Sequence, residues 1–412
     1  MTNWWRCVCE SCCSASAGAG AGRGIASCVV RFERSTRSPT GPLITHWASH
    51  ALSSCRTMPH PDVALGWARE RHRASKRAIQ RGAVRLQWSL SLWWFPAHTL
   101  ILHYHVLPDR TYLFRIARRH IDVVVLPVGR LHLANDMHEL VEDETAMRRL
   151  AIQIGIADAL EQFPGVRRLV IVPHDAVAGI PFAALPIKDR RLCSIVPITQ
   201  VDRLERVLCK RRVEVSRTGL FLSAGRANYA GSGHGDLADA EREAAAVIEA
   251  SCRMDTPRCN ATRTGVLAEL PGATWFHVAA HGVFDMSDPA RSGIVLGNGA
   301  GGYETLTLRE LRDAKLHRLQ LATLATCRSG EHARLPGRER ICLPTALLDA
   351  GARGVIASLW RVDDAASVDV MAALYRELAT KPPATALADM QAAMAKYRPA
   401  KQWAGWVFYG ND

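Results

Sequence analysis

Short apolar segments that alternate with amphipathic ones constrain the fold of this chain more than any other sequence feature. From about residue 96 onward, residues 274–280 (TWFHVAA), 319–326 (LQLATLAT) and 354–360 (GVIASLW) have the length and composition of buried strands. Segments with apolar residues every three to four positions lie between such runs, as in residues 365–380. Strands that alternate with helices predict an α/β fold with a mostly parallel sheet flanked by helices.

The first part of this region predicts a hairpin and then a helix. Residues 99–106 and 111–116 are apolar runs separated by turn residues, which is typical of two antiparallel strands. Residues 143–163 have the spacing of a single helix, and residues 168–173 predict a buried strand.

Helix-end signals fix several boundaries in the second part. Thr307 followed by Glu310 predicts a capping box at the start of a helix. Pro344 stands where a first helical turn begins, and Gly351 where that helix ends. Residues 403–409 close the chain as a further strand, which we expect at an edge of the sheet.

The first 95 residues differ from the rest. They hold six of the twelve Cys within the first 55 positions, and an Ala- and Gly-rich stretch at 14–24. Neither strand nor helix periodicity is apparent there, so we expect a largely disordered extension. Two interpretations of its cysteine cluster stay open, a thiolate metal site and a Cys-rich tail, and the absence of a second ligand pair at zinc-finger spacing favours the tail. The cluster comprises Cys7, Cys9, Cys12 and Cys13.

Most of the positive charge lies in the same extension. It carries 13 Lys and Arg against four Asp and Glu, which accounts for +9 of the net charge of +13. Residues 59–91 have loosely helical spacing and a run of basic residues from Arg69 to Arg85. Such a run is compatible with a nucleic-acid contact, but without interleaved aromatic residues a solvated helix face is favoured.

Two further classes are disfavoured. No apolar run reaches the ~18 residues that a membrane span needs. The first residues also lack the apolar core of a secretory signal, so we expect a cytoplasmic protein.

His281 and Cys327 each directly follow a predicted strand, 46 positions apart. Ligands of open α/β sheets bind beyond the carboxyl ends of strands, where these two side chains would meet if the strands are neighbours. The thiolate is the nucleophilic form of cysteine, and an imidazole can take up the thiol proton and later protonate a leaving amine. The pair therefore predicts nucleophilic catalysis.

Gly282 extends this hypothesis, because a residue without Cβ lets its backbone N–H approach a substrate carbonyl. The N–H groups of Gly282 and Cys327 would then form an oxyanion hole. The alternative for each residue is structural: a buried Cys as a small apolar side chain, and His281 as a hydrogen-bonded strand-end residue.

Seven segments in order resemble the CHAT domain, a caspase- and separase-like cysteine peptidase family that is common in bacteria. They include LVIVPHDAVAGIPFAALP (169–186), WFHVAAHGVFD (275–285), LATLATCRSG (321–330) and WAGWVFYG (403–410). The resemblance implies a caspase-like fold with the catalytic His at His281 and the nucleophile at Cys327. It also implies three parts: an extension at 1–95, a decayed peptidase-like half at 96–215, and the peptidase half at 216–412.

The chain departs from related peptidases near the expected substrate cleft. Ala325 stands where caspases have Gln and metacaspases have Asp, so neither specificity is carried over. Trp360, Asp363 and Asp364 follow a predicted strand where the cleft of the family passes. Two acids there would favour Lys or Arg in the substrate, whereas the alternative is that an Asp caps the next helix. Trp360 is either a pocket wall or a core residue.

These observations predict a cysteine endopeptidase that cleaves a protein substrate and needs neither a metal nor an organic cofactor. The resemblance implies a role in bacterial signalling, stress or defence, with an activating partner protein. Helical repeats of about 34 residues, the usual sensing module beside such domains, are not evident in the sequence. The alternative is a CHAT fold that has lost catalysis and serves as a protein-interaction module.

Overall fold

A computed structural model describes most of the chain after residue 96 and two short segments before it. The first 69 residues and residues 70–412 form two compact units. In the first unit, β1 (Trp4–Cys9) pairs with β2 (Val30–Ser35) in antiparallel register, a pairing that the sequence analysis did not predict. The described residues are 4–9, 30–35, 97–133, 137–208, 213, 221–224, 235, 237–251, 261–285, 288–300, 302–326, 329–330, 342–361 and 363–411. The cysteine-cluster and basic-helix predictions concern side chains and segments outside these residues.

The second unit contains the remaining strands. They are β3 (Thr99–Val106), β4 (Thr111–Ala117), β5 (His120–Leu126), β6 (Arg168–Val172), β7 (Pro186–Ile187), β8 (Arg190–Arg191), β9 (Ile198–Gln200), β10 (Phe221–Ala224), β11 (Trp275–Val283), β12 (Gly293–Gly297), β13 (Tyr303–Thr307), β14 (Leu321–Thr326), β15 (Gly354–Ser358) and β16 (Trp406–Gly410).

Helices connect these strands. They are α1 (Arg130–Leu133), α2 (Met137–Leu140), α3 (Glu144–Gln153), α4 (Ile156–Gln162), α5 (Glu205–Leu208), α6 (Ala240–Ala250), α7 (Arg263–Glu269), α8 (Leu308–Asp313), α9 (Leu343–Ala350), α10 (Asp364–Leu378), α11 (Pro383–Met394) and α12 (Ala400–Trp403).

Twelve of the described strands form one mixed sheet. Its order is β13-β12-β11-β14-β15-β16-β9-β6-β3-β4-β5, and β10 pairs with β11 beside this path. The segments β11–β14–β15 and β9–β6–β3 are parallel, whereas the outer strands are antiparallel. The predicted α/β fold with a mostly parallel sheet flanked by helices is confirmed.

Alternation along the central strands divides their side chains between two cores. In β11, Trp275 belongs to the core that contains helices α3, α6, α10 and α11. Phe276 and Val278 point to the opposite core, which contains helices α7, α8 and α9. Since successive strand residues face opposite sides, His277 and His281 lie on the same face of the sheet as Trp275. That face carries the candidate catalytic histidine.

The predicted helix ends agree with the structure. Thr307 caps α8 and forms a capping box with Glu310. Pro344 lies in the first turn of α9, and Gly351 ends it with φ 117°, a conformation that favours glycine.

Two predictions were wrong in detail. Residues 143–163 form two helices rather than one, because the chain turns at Gly155 with φ 72°. The final strand, β16, is central rather than at an edge: it pairs with β15 on one side and β9 on the other. All its residues are buried, which is typical of a strand covered on both faces.

Candidate active site

The register of β11 and β14 determines which residues meet at the carboxyl edge of the sheet. The two strands are parallel neighbours, and Ala280 is the register partner of Thr326. Each of these residues directly precedes one of the predicted catalytic residues, His281 and Cys327. Two positions before His281, on the same face of β11, is Ala279, whose register partner in β14 is Ala325. The neighbouring positions on this face of the sheet therefore carry small side chains.

His281 lies inside β11 and not after its end. The strand continues to Val283 because β12 pairs with it in antiparallel register, with His281 opposite Val295. The side chain is buried, and its Nε2 lies 2.7 Å from the carbonyl oxygen of Gly235. A carbonyl oxygen only accepts hydrogen bonds, so Nε2 donates, and in the neutral imidazole Nδ1 then carries the lone pair. This is the tautomer of a base that accepts a proton at Nδ1.

Cys327 and Arg328 lie outside the described residues, and the chain on both sides of them is anchored. The backbone N–H of Ser329 donates to the carbonyl of Thr326 at 3.2 Å. The Ser329 hydroxyl is buried and donates to the carbonyl of Leu324 at 3.0 Å, and it accepts the N–H of Ser358 at 2.9 Å. Ser329 is therefore fixed to both β14 and β15.

Gly282, the predicted oxyanion residue, follows His281 within β11 and pairs with Ile294 of β12. It is half-buried, next to the end of the β11–β14 ladder.

Trp360 follows β15 and is packed in a core. Its side chain is buried beside helices α10 and α12, and its indole Nε1 donates to the carbonyl of Lys401 at 2.9 Å. Gly405 makes this packing possible, since a Cβ there would lie 2.7 Å from the Trp360 ring. The structure thus gives Trp360 the core environment that the sequence left as one of two alternatives.

Asp363 and Asp364 have different partners. Asp363 is the N-cap of α10 and accepts the N–H of Ala366 at 3.1 Å, so the capping alternative applies to Asp363. Asp364 accepts the N–H of Asp239 at 3.1 Å, at the start of α6. Burial raises the pKa of Asp364, and the nearby carboxylates of Glu243, Asp239 and Asp363 raise it too, while the hydrogen bond from Asp239 opposes them.

A buried polar network that the sequence analysis did not identify lies below the site. Glu243 of α6 and His277 of β11 are almost fully buried, with Oε1 and Nε2 3.0 Å apart, an ion-pair distance without hydrogen-bond alignment. The hydroxyl of Tyr375 lies 3.4 Å from His277 Nδ1 and donates to Thr323 Oγ1 at 3.0 Å. The available signal was a histidine in the middle of an otherwise apolar strand.

Gly235 was also missed, since it contributes a backbone carbonyl, and backbone contacts have no signature in a sequence.

Among the described residues no group of three or more His, Cys, Asp or Glu is placed to hold a metal ion. Within the same residues, no helix has the length and apolar character that crossing a membrane requires.

Comparisons with known proteins agree with this architecture. The family model of the CHAT domain matches residues 145–411. No curated protein matches the chain. Among solved structures, one of the Porphyromonas gingivalis RgpB pro- and mature domains aligns with 13% identity and a TM-score of 0.43, over 65% of this chain and 68% of the other.

Two structures of the Saccharomyces cerevisiae separase–securin complex also align. The one at 3.0 Å resolution has a TM-score of 0.53 and 10% identity, over 82% of this chain and 31% of the other. The one at 2.6 Å has a TM-score of 0.49 and 9% identity, over 76% and 30%. The chain thus spans about a third of the length of the separase chains.

At this level of identity the 3.0 Å separase structure shows a shared caspase-like fold and nothing more specific. The family match covers well over half of the sequence, including β11, β14 and residues 327–342. This chain belongs to the CHAT domain family.

Proposed function

We propose that this protein is a cysteine endopeptidase in which Cys327 is the nucleophile and His281 is the general base and acid. The observation that supports this most is the register Ala280–Thr326 between two parallel strands. Neighbouring strands lie about 4.8 Å apart, and consecutive Cα atoms about 3.8 Å apart. In the sequence, His281 and Cys327 each follow one member of that register pair directly.

The tautomer of His281 fits the proposed chemistry. With Nε2 donating to Gly235, Nδ1 accepts the proton of the Cys327 thiol, and the sulfur attacks the scissile carbonyl of the substrate. The tetrahedral intermediate collapses as the imidazolium gives that proton to the leaving amine, which produces a thioester. Water, deprotonated by His281, then hydrolyses the thioester and releases the acid product and the thiol.

The developing oxyanion needs donors at the same edge of the sheet. The N–H groups of Gly282 and Cys327 supply them in this proposal, and such donors typically lower the barrier by about 3–4 kcal/mol each. A thiol that must remain reduced fits a cytoplasmic setting. In this proposal the substrate is a protein, and a partner protein activates the peptidase, as the sequence led us to expect.

The test is a peptide probe with a thiol-reactive group, applied to the wild-type chain, Cys327→Ala and His281→Ala. We expect wild-type labelling at Cys327 alone, none in Cys327→Ala, and a rate at least about a hundredfold lower in His281→Ala because the base is lost. Cleavage of a peptide library should follow the same order.

The alternative, an interaction module without catalysis, predicts a different result. Cys327 would then react no faster than an ordinary exposed thiol, and His281→Ala would not change its rate. Labelling that is spread equally over several cysteines would also contradict the peptidase proposal.

A further inference from the structure

The orientation of His281 depends on a carbonyl that belongs to another part of the chain. Gly235 lies 46 positions before His281, and its oxygen is 2.7 Å from Nε2. If this carbonyl moves, the imidazole loses the partner that keeps Nδ1 as the proton acceptor. The segment that carries Gly235 therefore has to be held in place by other contacts.

That segment leads directly into α6, and two acidic side chains fix the start of this helix. Asp364, the first residue of α10, accepts the backbone N–H of Asp239 at 3.1 Å. Asp239 is four positions after Gly235 and directly precedes α6. The contact thus ties the approach to α6 to the N-terminal end of α10.

The second acid is Glu243, one turn further along α6. Its carboxylate is buried against His277 of β11, with Oε1 and Nε2 3.0 Å apart. His277 and His281 share one face of the same strand, four positions apart. Glu243 therefore packs α6 against the strand that carries His281, and Asp364 holds Asp239, four positions after the carbonyl partner of the imidazole.

We propose that Asp364 is a positioning residue for His281: by holding the Asp239 amide it keeps the Gly235 carbonyl on the imidazole. This inference rests on the proposed peptidase function. It replaces the expectation that Asp364 reads a basic substrate side chain, because its carboxylate already has a backbone donor as its partner.

The two roles for Asp364 have opposite requirements. Recognition of Lys or Arg needs a negative charge, whereas positioning needs only an acceptor oxygen at the right place. Asparagine has nearly the same shape and retains that acceptor as its amide oxygen. Alanine removes it. Leucine fills a similar volume without it.

The experiment measures the rate constant for iodoacetamide alkylation of Cys327 in the full chain, located by mass spectrometry of tryptic peptides. Iodoacetamide is small and neutral and has no side chain to occupy a substrate pocket, so it reports only on the thiol and its base. We expect Asp364→Ala to react about tenfold more slowly than wild type, since base assistance is weakened. Asp364→Asn should stay within about twofold of wild type, because it retains the hydrogen bond.

Circular dichroism shows whether each variant is folded. If Asp364→Ala fails to fold, Asp364→Leu takes its place with the same expected slowing. Asp143→Ala is the matched control: Asp143 caps α3 and accepts the N–H of Ala146 at 2.9 Å, and losing such a cap costs about 1 kcal/mol. Its rate at Cys327 should equal that of wild type.

Three outcomes overturn the inference. A wild-type rate in Asp364→Ala leaves no positioning role, and slowing of Asp364→Asn to the same level as Asp364→Ala assigns the effect to charge. Slowing of Asp143→Ala to that level assigns it to global destabilisation.

His281→Ala, measured in the same series, separates the two proposals. If it matches wild type, the peptidase proposal itself fails and this inference with it; if it is slow while Asp364→Ala is fast, only the inference fails.

Discussion

Two histidines on one face of β11 show how the environment of a residue determines its role. His277 is completely buried and faces Glu243, Tyr375 and the sheet interior. His281 is four positions further along, at the end of the parallel ladder, and its Nε2 contacts a backbone carbonyl. The first is suited to fixing a helix against the sheet, and the second to moving a proton.

The Glu243–His277 pair predicts a large change in stability. Removing one partner leaves the other polar group buried without compensation, so Glu243→Ala should lower the free energy of unfolding by about 3 kcal/mol. The double variant Glu243→Met/His277→Leu replaces both by apolar groups and should be more stable than the single variant. Urea denaturation followed by circular dichroism measures both. A double variant that is less stable than Glu243→Ala would contradict this account.

Cys193 offers an internal reference for thiol reactivity. It is buried, and burial raises the pKa of its thiol to about 11. At pH 8 only about one molecule in a thousand carries the thiolate at that position, so iodoacetamide should leave Cys193 almost unmodified while Cys327 reacts. Raising the pH towards 11 should increase Cys193 labelling. Labelling of Cys193 at pH 8 as fast as that of Cys327 would contradict the burial argument.

At the scale of elements, a local sequence pattern predicts a helix boundary or a strand position only when the residues that determine it are close in the sequence. The capping box of Thr307 and Glu310 was predictable because both partners lie within one turn. The break between α3 and α4 was not, since the apolar spacing continues through Gly155 and only its φ of 72° reveals the turn. The central position of β16 depends on pairing with β9, about 200 residues earlier, and no local pattern encodes it.

Gly155→Ala tests the helix break. A Cβ would lie 3.0 Å from Leu113 Cδ2, and alanine at positive φ is strained, so we expect a loss of about 1–2 kcal/mol in unfolding free energy. Gly272→Ala is the matched control, because a Cβ there meets nothing within 4 Å. If thermal unfolding shows equal losses for both variants, the left-handed turn is not what Gly155 contributes.

We expect the stability of the fold to depend on pH in acid because of Arg115, whose ion pairs connect β4 with β5 and α4. Its guanidinium contacts Asp122 and Asp158, each at 2.6 Å. Burial of Asp122 opposes ionisation, but the nearby His120 ring and the hydrogen bonds from Arg115 outweigh it and lower the pKa to about 2 from 3.8. Because the folded-state pKa lies below that of the unfolded chain, this stabilisation is complete above about pH 4 and is lost as the pH falls towards 2.

Asp122→Asn should therefore flatten the decline in stability between pH 4 and pH 2, as measured by urea unfolding at each pH. Asp313→Asn is the control, since Asp313 is exposed and 4.0 Å from Arg312. An unchanged pH dependence in Asp122→Asn would show that this ion pair does not contribute.

At the scale of the whole second unit, one continuous sheet carries the candidate site at its third and fourth strands, β11 and β14, counted from β13. The join between β16 and β9 connects the strands that precede residue 201 with those that follow residue 220, and the predicted boundary near residue 215 lies between them. The sequence was sufficient to predict the α/β class and the strand segments that precede His281 and Cys327, because buried strands are local features. It was not sufficient for Gly235, Asp239 and Glu243, whose contacts with the site depend on how α6 packs.

The most direct test of the peptidase account is the distance between the Cys327 sulfur and the His281 ring in crystals of the full chain. We expect the sulfur within about 4 Å of Nδ1, with Nε2 still on the Gly235 carbonyl, as a nucleophile and its base require. A sulfur on the opposite face of the sheet, or a ring that presents Nε2 to the thiol, would contradict it.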